Sequence, residues 1–308
     1  MRRHDTLDLV RSLWMIVVLA LVVPASAEPE PTVALDAAKV LLPPAPGTRC
    51  SDVECLLAAS YAGDPIAAKA ALGLYVATGD VAGVGPEELM EGGFRGKIRL
   101  VPQLPKGAYR KHLVWVLAAM TEIGTFFSDL YAGDTAVPSY RWRALQFRFV
   151  RSIKKRTPSA YAFDWTIEYN VEGSLLTSAP GVKETLFHEL FHNNDFAHGD
   201  WSAKTLQTDF DAIVRKCGTK VACLAPFAPG TTKVRATGTY YAFQPNNGNA
   251  VHEYAAELAV RYFREQSEML ASKKLKRPAF KCGPAENARA WATFVGEFFG
   301  GRDLVPAC

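Results

Sequence analysis

His188-Glu189-Leu190-Phe191-His192 is an HExxH motif, and it lies in the second half of a 308-residue chain. On a helix, its two histidines lie on one face, one turn apart, so both imidazoles can bind one metal ion. Glu189 lies beside them, where a carboxylate can deprotonate a metal-bound water. Zn²⁺ suits this chemistry, because it accepts imidazole and carboxylate ligands and keeps one position open. The motif therefore predicts a Zn²⁺ site with His188 and His192 as ligands and Glu189 as general base.

The residues around the motif predict its structural context. Leucine and phenylalanine flank the histidines on both sides, which indicates a buried helix over residues 181–193. Pro180-Gly181 favours its start, and Asn193-Asn194-Asp195 favours its end. Residues 160–171 are rich in aromatic and β-branched side chains and predict a strand just upstream, which can pair with an extended peptide. Two histidines in the core or in solvent, without a metal, are the alternative interpretation.

The N-terminus predicts export. Three arginines in the first eleven residues precede an apolar run over 13–23, and Ala25-Ser26-Ala27 has the small-x-small pattern of a cleavage site. This pattern predicts a signal peptide over 1–27 and a secreted or periplasmic protein. The apolar run is too short to span a bilayer as a helix, so no membrane attachment is expected after cleavage. An anchor that is never cut is the alternative.

Composition and cysteine count fit an exported globular protein. Hydrophobic residues make up 49% of the chain and charged residues 21%, and the net charge is only +4, so no nucleic-acid partner is expected. Six cysteines in an oxidising compartment predict three disulfides, although sequence alone leaves several connectivities open. The simplest pairing joins neighbours: Cys50–Cys55, Cys217–Cys223 and Cys282–Cys308. No CxxC pattern supports the alternative of a zinc-binding or nucleophilic cysteine.

HExxH after a strand, in an exported chain, resembles the zincin metallopeptidases. The resemblance implies Zn²⁺, hydrolysis of peptide bonds and a cleft below an edge strand. It also makes a third metal ligand necessary.

Glu253 is the first candidate for that ligand. It lies four residues before Glu257 in the helical segment 252–261, so the two carboxylates share a face. Burying them unpaired costs free energy, whereas Glu253 on the metal and Glu257 bonded to a ligand histidine would satisfy both. This arrangement resembles the gluzincins, and the E-Y-x-A-E form is most similar to the lethal-factor type, over about residues 181–265. Glu257 stands where thermolysin-like enzymes have Asp. An amphipathic helix with both carboxylates exposed is the alternative.

His198 is the second candidate, because H-E-x-x-H-x-x-D-x-x-H is similar to the metzincin spacing. That family has Gly where this chain has Asp195, and its Met-turn is missing, since Met269 is the only downstream methionine and lies in a charged helix. Asp195, Asp200 and Glu257 are further alternatives. If Glu253 is the ligand, His198 can still line the cleft.

The resemblance also implies a donor that stabilises the oxyanion of the tetrahedral intermediate. Tyr241, which precedes the Glu253 helix in a Gly- and Thr-rich loop, is the candidate, with Tyr240 beside it. His252 is a further alternative, although it faces elsewhere on the helix. A pair of packing aromatic residues is the other interpretation of the two tyrosines.

The pattern along the chain predicts an α+β fold: a zincin-like core with a small sheet, an active-site helix and a mostly helical C-terminal part. Strands are predicted at 97–101, 140–151 and 160–171, a loop at 79–96, and helices at 51–78, 108–130, 181–193, 202–216, 250–273 and 285–299. The expected domains are a signal peptide (1–27), a Pro-rich linker (28–49), an N-terminal helical subdomain or propeptide (50–105) and a zincin-like catalytic domain (106–308).

These features predict a secreted zinc metallopeptidase, an endopeptidase acting on proteins or peptides. Two alternatives remain: a non-catalytic zinc-binding protein on a zincin scaffold, and a hydrolase of cell-wall amides. The second draws only on a basic stretch from Arg141 to Arg156, which can favour acidic substrates or form a solvated strand face. The sequence leaves the oligomeric state open.

Overall fold

A computed structural model of the protein describes residues 32–44, 47–92, 96–134, 140, 143–234, 238–245 and 250–308. The expected signal peptide and Arg141 lie outside the described residues. The fold is α+β, as predicted. The helices are α1 (Leu35–Leu41), α2 (Val53–Ser60), α3 (Pro65–Thr78), α4 (Arg110–Leu130), α5 (Ala179–Ala197), α6 (Trp201–Thr205), α7 (Gln207–Cys217), α8 (Val221–Leu224), α9 (Ala250–Ser272) and α10 (Ala285–Phe299). The strands are β1 (Val81–Val84), β2 (Glu88–Glu91), β3 (Lys97–Pro102), β4 (Gln146–Ser152), β5 (Ala160–Phe163) and β6 (Thr166–Asn170).

The six strands form one mixed sheet in the order β2-β3-β4-β6-β5. The central strand β4 runs parallel to β6 on one side, and on the other side it pairs first with β1 and then with β3. The order places β5 at one edge, where it pairs antiparallel with β6. One edge of the sheet is therefore the short strand β5, and it lies next to the elements that follow β5 in the chain.

One face of the sheet is covered by helices. The side chains of Phe147, Phe149, Ile167 and Tyr169 are fully buried on that face, and the Tyr169 hydroxyl lies 3.0 Å from Nδ1 of His112 in α4. Helix α5 packs against both α4 and α9. Stacked aromatic rings hold these helices together, among them Phe187 in α5 and Phe263 in α9, whose centroids are 4.5 Å apart. The HExxH helix is thus at the centre of the core.

Helix α5 begins and ends where local chemistry favours it. The Ser178 hydroxyl accepts a hydrogen bond from the Gly181 amide at 3.3 Å, and Pro180 lies in the first turn, where its missing N–H costs nothing. The helix ends at Ala197, with His198 as its C-cap, four residues beyond the predicted end at 193. The side chains of Asn193, Asn194 and Asp195 are buried and bonded within the core, so they extend the helix rather than terminate it.

Three predictions of local structure were wrong. Residues 28–49 were expected to be a linker, but 35–41 form α1, whose Ala38 and Leu41 are buried in the core. The predicted loop over 79–96 contains β1, which pairs with β4, and β2, which pairs with β3. In β1, Gly83 leaves room for α1, since a Cβ there would lie 2.6 Å from Cβ of Leu41. The single strand over 160–171 is a hairpin, since Asp164 and Trp165 have φ values of 41° and 56°, which reverse the chain.

Residues 50–105, the predicted N-terminal helical subdomain or propeptide, contain strands as well as helices. They contribute β1, β2 and β3 to the one sheet, and their buried side chains belong to the same hydrophobic core as those of α5 and α9. Three of the six described strands lie in this segment. The structure therefore joins residues 50–105 to the part of the chain that carries the HExxH motif.

Disulfides join neighbouring cysteines. The bonds are Cys50–Cys55, Cys217–Cys223 and Cys282–Cys308, and no cysteine is free. The structure confirms the predicted pairing. Three disulfides fit an oxidising compartment.

One described helix, Gly107–Leu130, is apolar and long enough to cross a membrane by length and composition. It comprises α4 and the 3₁₀ turn before it. Its Leu113, Val116, Met120 and Ile123 side chains are buried in the core, against α3 and α5. This packing accounts for the apolar side chains on the buried face of the helix.

A buried carboxyl lies on the sheet face opposite the helices. Glu168 follows the helix-facing Ile167 in β6, so its side chain points to the other face, opposite Arg148 in β4. Its Oε1 atom is buried and has no hydrogen-bond partner among the described residues. Burial raises the pKa of Glu168 from 4.5 to about 7, although the charge of Arg148 opposes this shift.

We expect Glu168→Gln to change how stability depends on pH. The raised pKa means that the folded wild type holds this proton more tightly than the unfolded chain, so its stability falls as the pH rises from about 4.5 through about 7. The Gln side chain does not ionise, so the variant should gain up to about 3 kcal/mol relative to wild type over this window. Urea unfolding at both ends of the window measures it, with exposed Glu91→Gln as control. A stability difference that is constant with pH would contradict the prediction.

Candidate metal centre

Helices α5 and α9 bring three donor atoms together. The Nε2 atoms of His188 and His192, one turn apart on α5, are 3.1 Å from each other. Oε2 of Glu253, in the first turn of α9, lies 3.1 Å from Nε2 of His188 and 3.8 Å from Nε2 of His192. Such a triangle of two imidazoles and one carboxylate could hold a metal ion. The structure therefore places Glu253 beside the two histidines.

The donor set fits Zn²⁺ in geometry and in charge. Zinc–nitrogen and zinc–oxygen bonds of about 2.0–2.2 Å place tetrahedral donors roughly 3.3–3.5 Å apart, close to the three observed separations. Burial lowers the pKa of His188, but the hydrogen bond and charge of Glu253 outweigh it and raise that pKa to about 9. Burial raises the pKa of Glu253, yet its bonds to His188 and His192 hold it well below its usual range. The site therefore favours a positive charge between these side chains.

Glu189 lies in the same cavity as the three donors but does not belong to their triangle. Its side chain is buried, and burial raises its pKa, while the neighbouring histidines oppose that shift. A buried carboxyl that opens onto the cavity beside the donors is placed to exchange a proton with a molecule bound there.

Glu257 supports His188 from the side away from the donors. Its Oε1 atom is 3.7 Å from Nδ1 of His188, one turn beyond Glu253 on α9. The backbone of Gly230 closes over this carboxylate: a Cβ at position 230 would lie 1.6 Å from Oε2 of Glu257. Only glycine leaves room for the carboxylate in this position.

We expect Gly230→Ala to weaken Zn²⁺ binding by about 10–100-fold, the usual cost of losing a residue that orients a ligand histidine. The new methyl group must displace the Glu257 carboxylate and leave Nδ1 of His188 without it. A competition titration with a chromogenic chelator measures the affinity. In a Glu257→Ala background, Gly230→Ala should cost nothing further, because both changes act through one contact. Gly296→Ala, where a Cβ meets nothing within 4 Å, is the control. If the losses of Zn²⁺ affinity from Gly230→Ala and Glu257→Ala simply added in the double variant, this role of Gly230 would be contradicted.

His198 and Tyr240, two of the predicted alternatives, have other partners. His198 forms the C-terminal boundary of α5, and its Nδ1 atom lies 2.7 Å from Oε1 of Glu297 in α10. The Tyr240 ring lies under the ammonium group of Lys233 at 5.4 Å. The structure does not bring either side chain into the group of donors formed by residues 188, 192 and 253.

Tyr241 lines the cavity. It begins a short 3₁₀ turn, Tyr241–Phe243, that packs against α9, and its ring centroid is 6.0 Å from that of His188. The structure thus places the predicted oxyanion donor next to a predicted ligand.

His252 and Asp200 form a second polar group, which the sequence did not predict. His252 was expected to face elsewhere on its helix, but it lines the same cavity as Glu253. Its Nε2 atom is hydrogen-bonded to Oδ1 of Asp200 and lies 3.9 Å from Oδ2 of Asp195. Asp200 has a φ of 66°, which few residues other than glycine adopt. The contact joins residues 52 positions apart, and no local pattern predicts it.

The cavity that contains both groups has a volume of about 810 Å³. The edge strand β5 forms one wall and the C-terminal half of α5 forms another, with Tyr241, His252 and Glu253 opposite. A volume of this size accepts several residues of an extended peptide.

Comparisons of the chain with protein-family models, curated proteins and solved structures gave no match. The assignment of a function therefore depends on the geometry of this cavity and on the motif that builds it. Fold class alone does not imply a function.

Proposed function

We propose that the protein is a secreted or periplasmic zinc metallopeptidase that hydrolyses peptide bonds. The observation that carries the proposal is the convergence of His188, His192 and Glu253 on one point of a cavity that Glu189 also lines. A purely structural metal site has no need of Glu189, whose burial costs free energy. The resemblance to gluzincins supports the same conclusion, since α9 supplies a carboxylate to the donor triangle and a second one, Glu257, one turn on.

The side chains divide the work of hydrolysis. His188, His192 and Glu253 would hold Zn²⁺, which would supply Lewis acidity and lower the pKa of a bound water to about 7. The Glu189 carboxylate accepts a proton from the attacking water and returns it to the nitrogen of the leaving amine. Tyr241 donates a hydrogen bond to the oxygen that becomes negative. Glu257 keeps His188 oriented through Nδ1.

The edge strand supports a peptide as substrate. Strand β5 pairs only with β6 among the described strands, and all four of its residues line the cavity. Its other edge can therefore pair with an extended chain, which β-strand addition would hold across the metal centre. The signal-like N-terminus and three disulfides support export.

The test is zinc content and proteolysis on the purified mature protein. We expect one Zn²⁺ per chain by elemental analysis and cleavage of unfolded casein that a chelator abolishes and added Zn²⁺ restores. Peptidoglycan, assayed beside casein, tests the cell-wall alternative. Wild-type protein that stays free of zinc in the presence of added metal would overturn the proposal.

The structure offers less support for an acidic or cell-wall substrate. Among the described residues that line the cavity there is no Lys or Arg. Two members of the basic stretch have partners within the protein: the Arg148 guanidinium lies 5.3 Å from the ring centroid of Phe163, and Arg156 donates a hydrogen bond to the Glu172 carbonyl. A peptide substrate is the proposal that the cavity favours.

A further inference from the structure

Asn193 joins the metal helix to the hairpin that forms one wall of the cavity. Its Oδ1 atom accepts a hydrogen bond of 2.8 Å from the backbone N–H of Trp165, the last residue of the turn between β5 and β6. Asn193 is only 3% exposed, and the contact joins residues 28 positions apart. The bond thus forms through the packing of the hairpin on α5.

The backbone of Trp165 is bonded to two different elements. Its carbonyl accepts a hydrogen bond of 3.0 Å from the amide of Gln146, at the start of β4, and its N–H donates to Asn193 on α5. Trp165 has a φ of 56°, which a bulky side chain rarely adopts and which persists only where the surrounding structure holds it. The sheet holds this turn from one side, and Asn193 holds it from α5.

The position of Asn193 on α5 relates the hairpin to the reacting groups. Asn193 directly follows His192, and its Nδ2 atom lies 3.5 Å from the carbonyl oxygen of Glu189, one turn earlier. All four residues of β5 line the same cavity as the donor triangle, and β5 packs against α5. The hydrogen bond to Trp165 therefore fixes the end of β5 relative to the helix that carries both His192 and Glu189.

We propose that Asn193 is a positioning residue, which holds the β5–β6 hairpin at the separation from the metal centre that an extended peptide needs. The proposal rests on the proposed function, because it concerns a peptide that pairs with β5 while its scissile bond lies at the donor triangle. A displacement of about 1 Å between reacting groups can cost about 100-fold in rate. Substrates long enough to pair with β5 depend on Asn193, whereas short substrates that reach only the metal centre do not.

The experiment compares a long and a short substrate on Asn193→Ala. The long probe is an end-blocked octapeptide around a casein bond that wild type cleaves, and the short probe is the end-blocked dipeptide of the same bond. Both kcat and KM are measured, and zinc is determined on the same preparations. Asn194→Ala is the matched control: this buried neighbour donates to the Leu190 carbonyl within α5, at 2.8 Å, and is not among the described residues that line the cavity.

We expect Asn193→Ala to lower kcat/KM on the octapeptide by about 10–100-fold, chiefly by raising KM, because the displaced edge strand no longer holds the peptide across the metal centre. On the dipeptide, kcat/KM should stay within about 2-fold of wild type, as should the zinc content, since neither depends on the hairpin. Asn194→Ala should leave all of these values unchanged.

Hydrogen exchange tests the contact itself, without substrate. In Asn193→Ala the Trp165 amide loses its acceptor, so it should exchange about 10-fold faster or more. Asn193→Asp keeps an acceptor oxygen and should keep the slow exchange. If circular dichroism shows that Asn193→Ala does not fold, Asn193→Ser replaces it, because a serine hydroxyl can bond to the Glu189 carbonyl within the helix.

Equal losses on the octapeptide and the dipeptide, or unchanged kcat/KM on both, would overturn the proposal. So would an unchanged exchange rate of the Trp165 amide in Asn193→Ala. Wild type that cleaves no peptide would overturn the proposed function instead, and the exchange rate would still decide whether Asn193 holds the hairpin.

Discussion

Glu189→Gln is expected to lower the rate of peptide hydrolysis by about 10²–10⁴-fold while the protein keeps its Zn²⁺. The amide has nearly the shape of the carboxylate but cannot accept the proton of the attacking water. Glu189 lies outside the donor triangle of His188, His192 and Glu253, so metal binding should survive. The measurement is kcat/KM on a fluorogenic peptide, with zinc determined on the same preparation.

The matched control is Glu184→Gln, the same change five residues earlier on α5. Glu184 is partly exposed and pairs with Arg264 at 2.6 Å, away from the cavity. We expect its activity to stay within about 2-fold of wild type, because exposed pairs contribute little. Full activity in Glu189→Gln would show that this carboxylate is not the general base. If zinc bound normally in that case, the non-catalytic alternative would gain support.

Glu253→Ala is expected to lower Zn²⁺ affinity by more than the 10–100-fold that the loss of a supporting residue costs. It removes one of three donors and leaves the two imidazoles as the only protein ligands. His198→Ala should leave the affinity within about 3-fold of wild type, because that side chain contacts Glu297 instead. Competition titration on both variants, with circular dichroism as a check of folding, measures the difference.

The pair of variants distinguishes the two families that the motif resembles. Zinc lost only in Glu253→Ala supports the gluzincin-like arrangement of α5 and α9. Zinc lost only in His198→Ala would contradict the geometry of the structure and favour a metzincin-like site. In that case the buried carboxylates Glu253 and Glu257 would need another explanation.

Much of the local structure was predictable because short-range chemistry decides it. Asp64-Pro65 marked the start of a helix, and in α3 the Asp64 carboxylate accepts a hydrogen bond from the Ala67 amide. The neighbouring cysteines pair as expected, since a short loop keeps two thiols close. These local rules failed where a contact with a distant part of the chain decides the conformation. Gly83 belongs to a strand because β1 pairs with the distant β4, and Trp165 has a φ of 56°, which a bulky side chain rarely adopts.

The candidate site divides in the same way. Sequence alone determined that His188, Glu189 and His192 lie together on a buried helix, because their spacing matches one helical turn and needs no other part of the chain. Tertiary structure alone decided which third donor joins them, that His252 and Asp200 share the cavity, and that Gly230 leaves room for Glu257. These contacts join residues 27 to 65 positions apart, and they depend on how α9 packs across α5. A separation of that length in the sequence does not indicate a contact, because the contact forms only when the helices pack together.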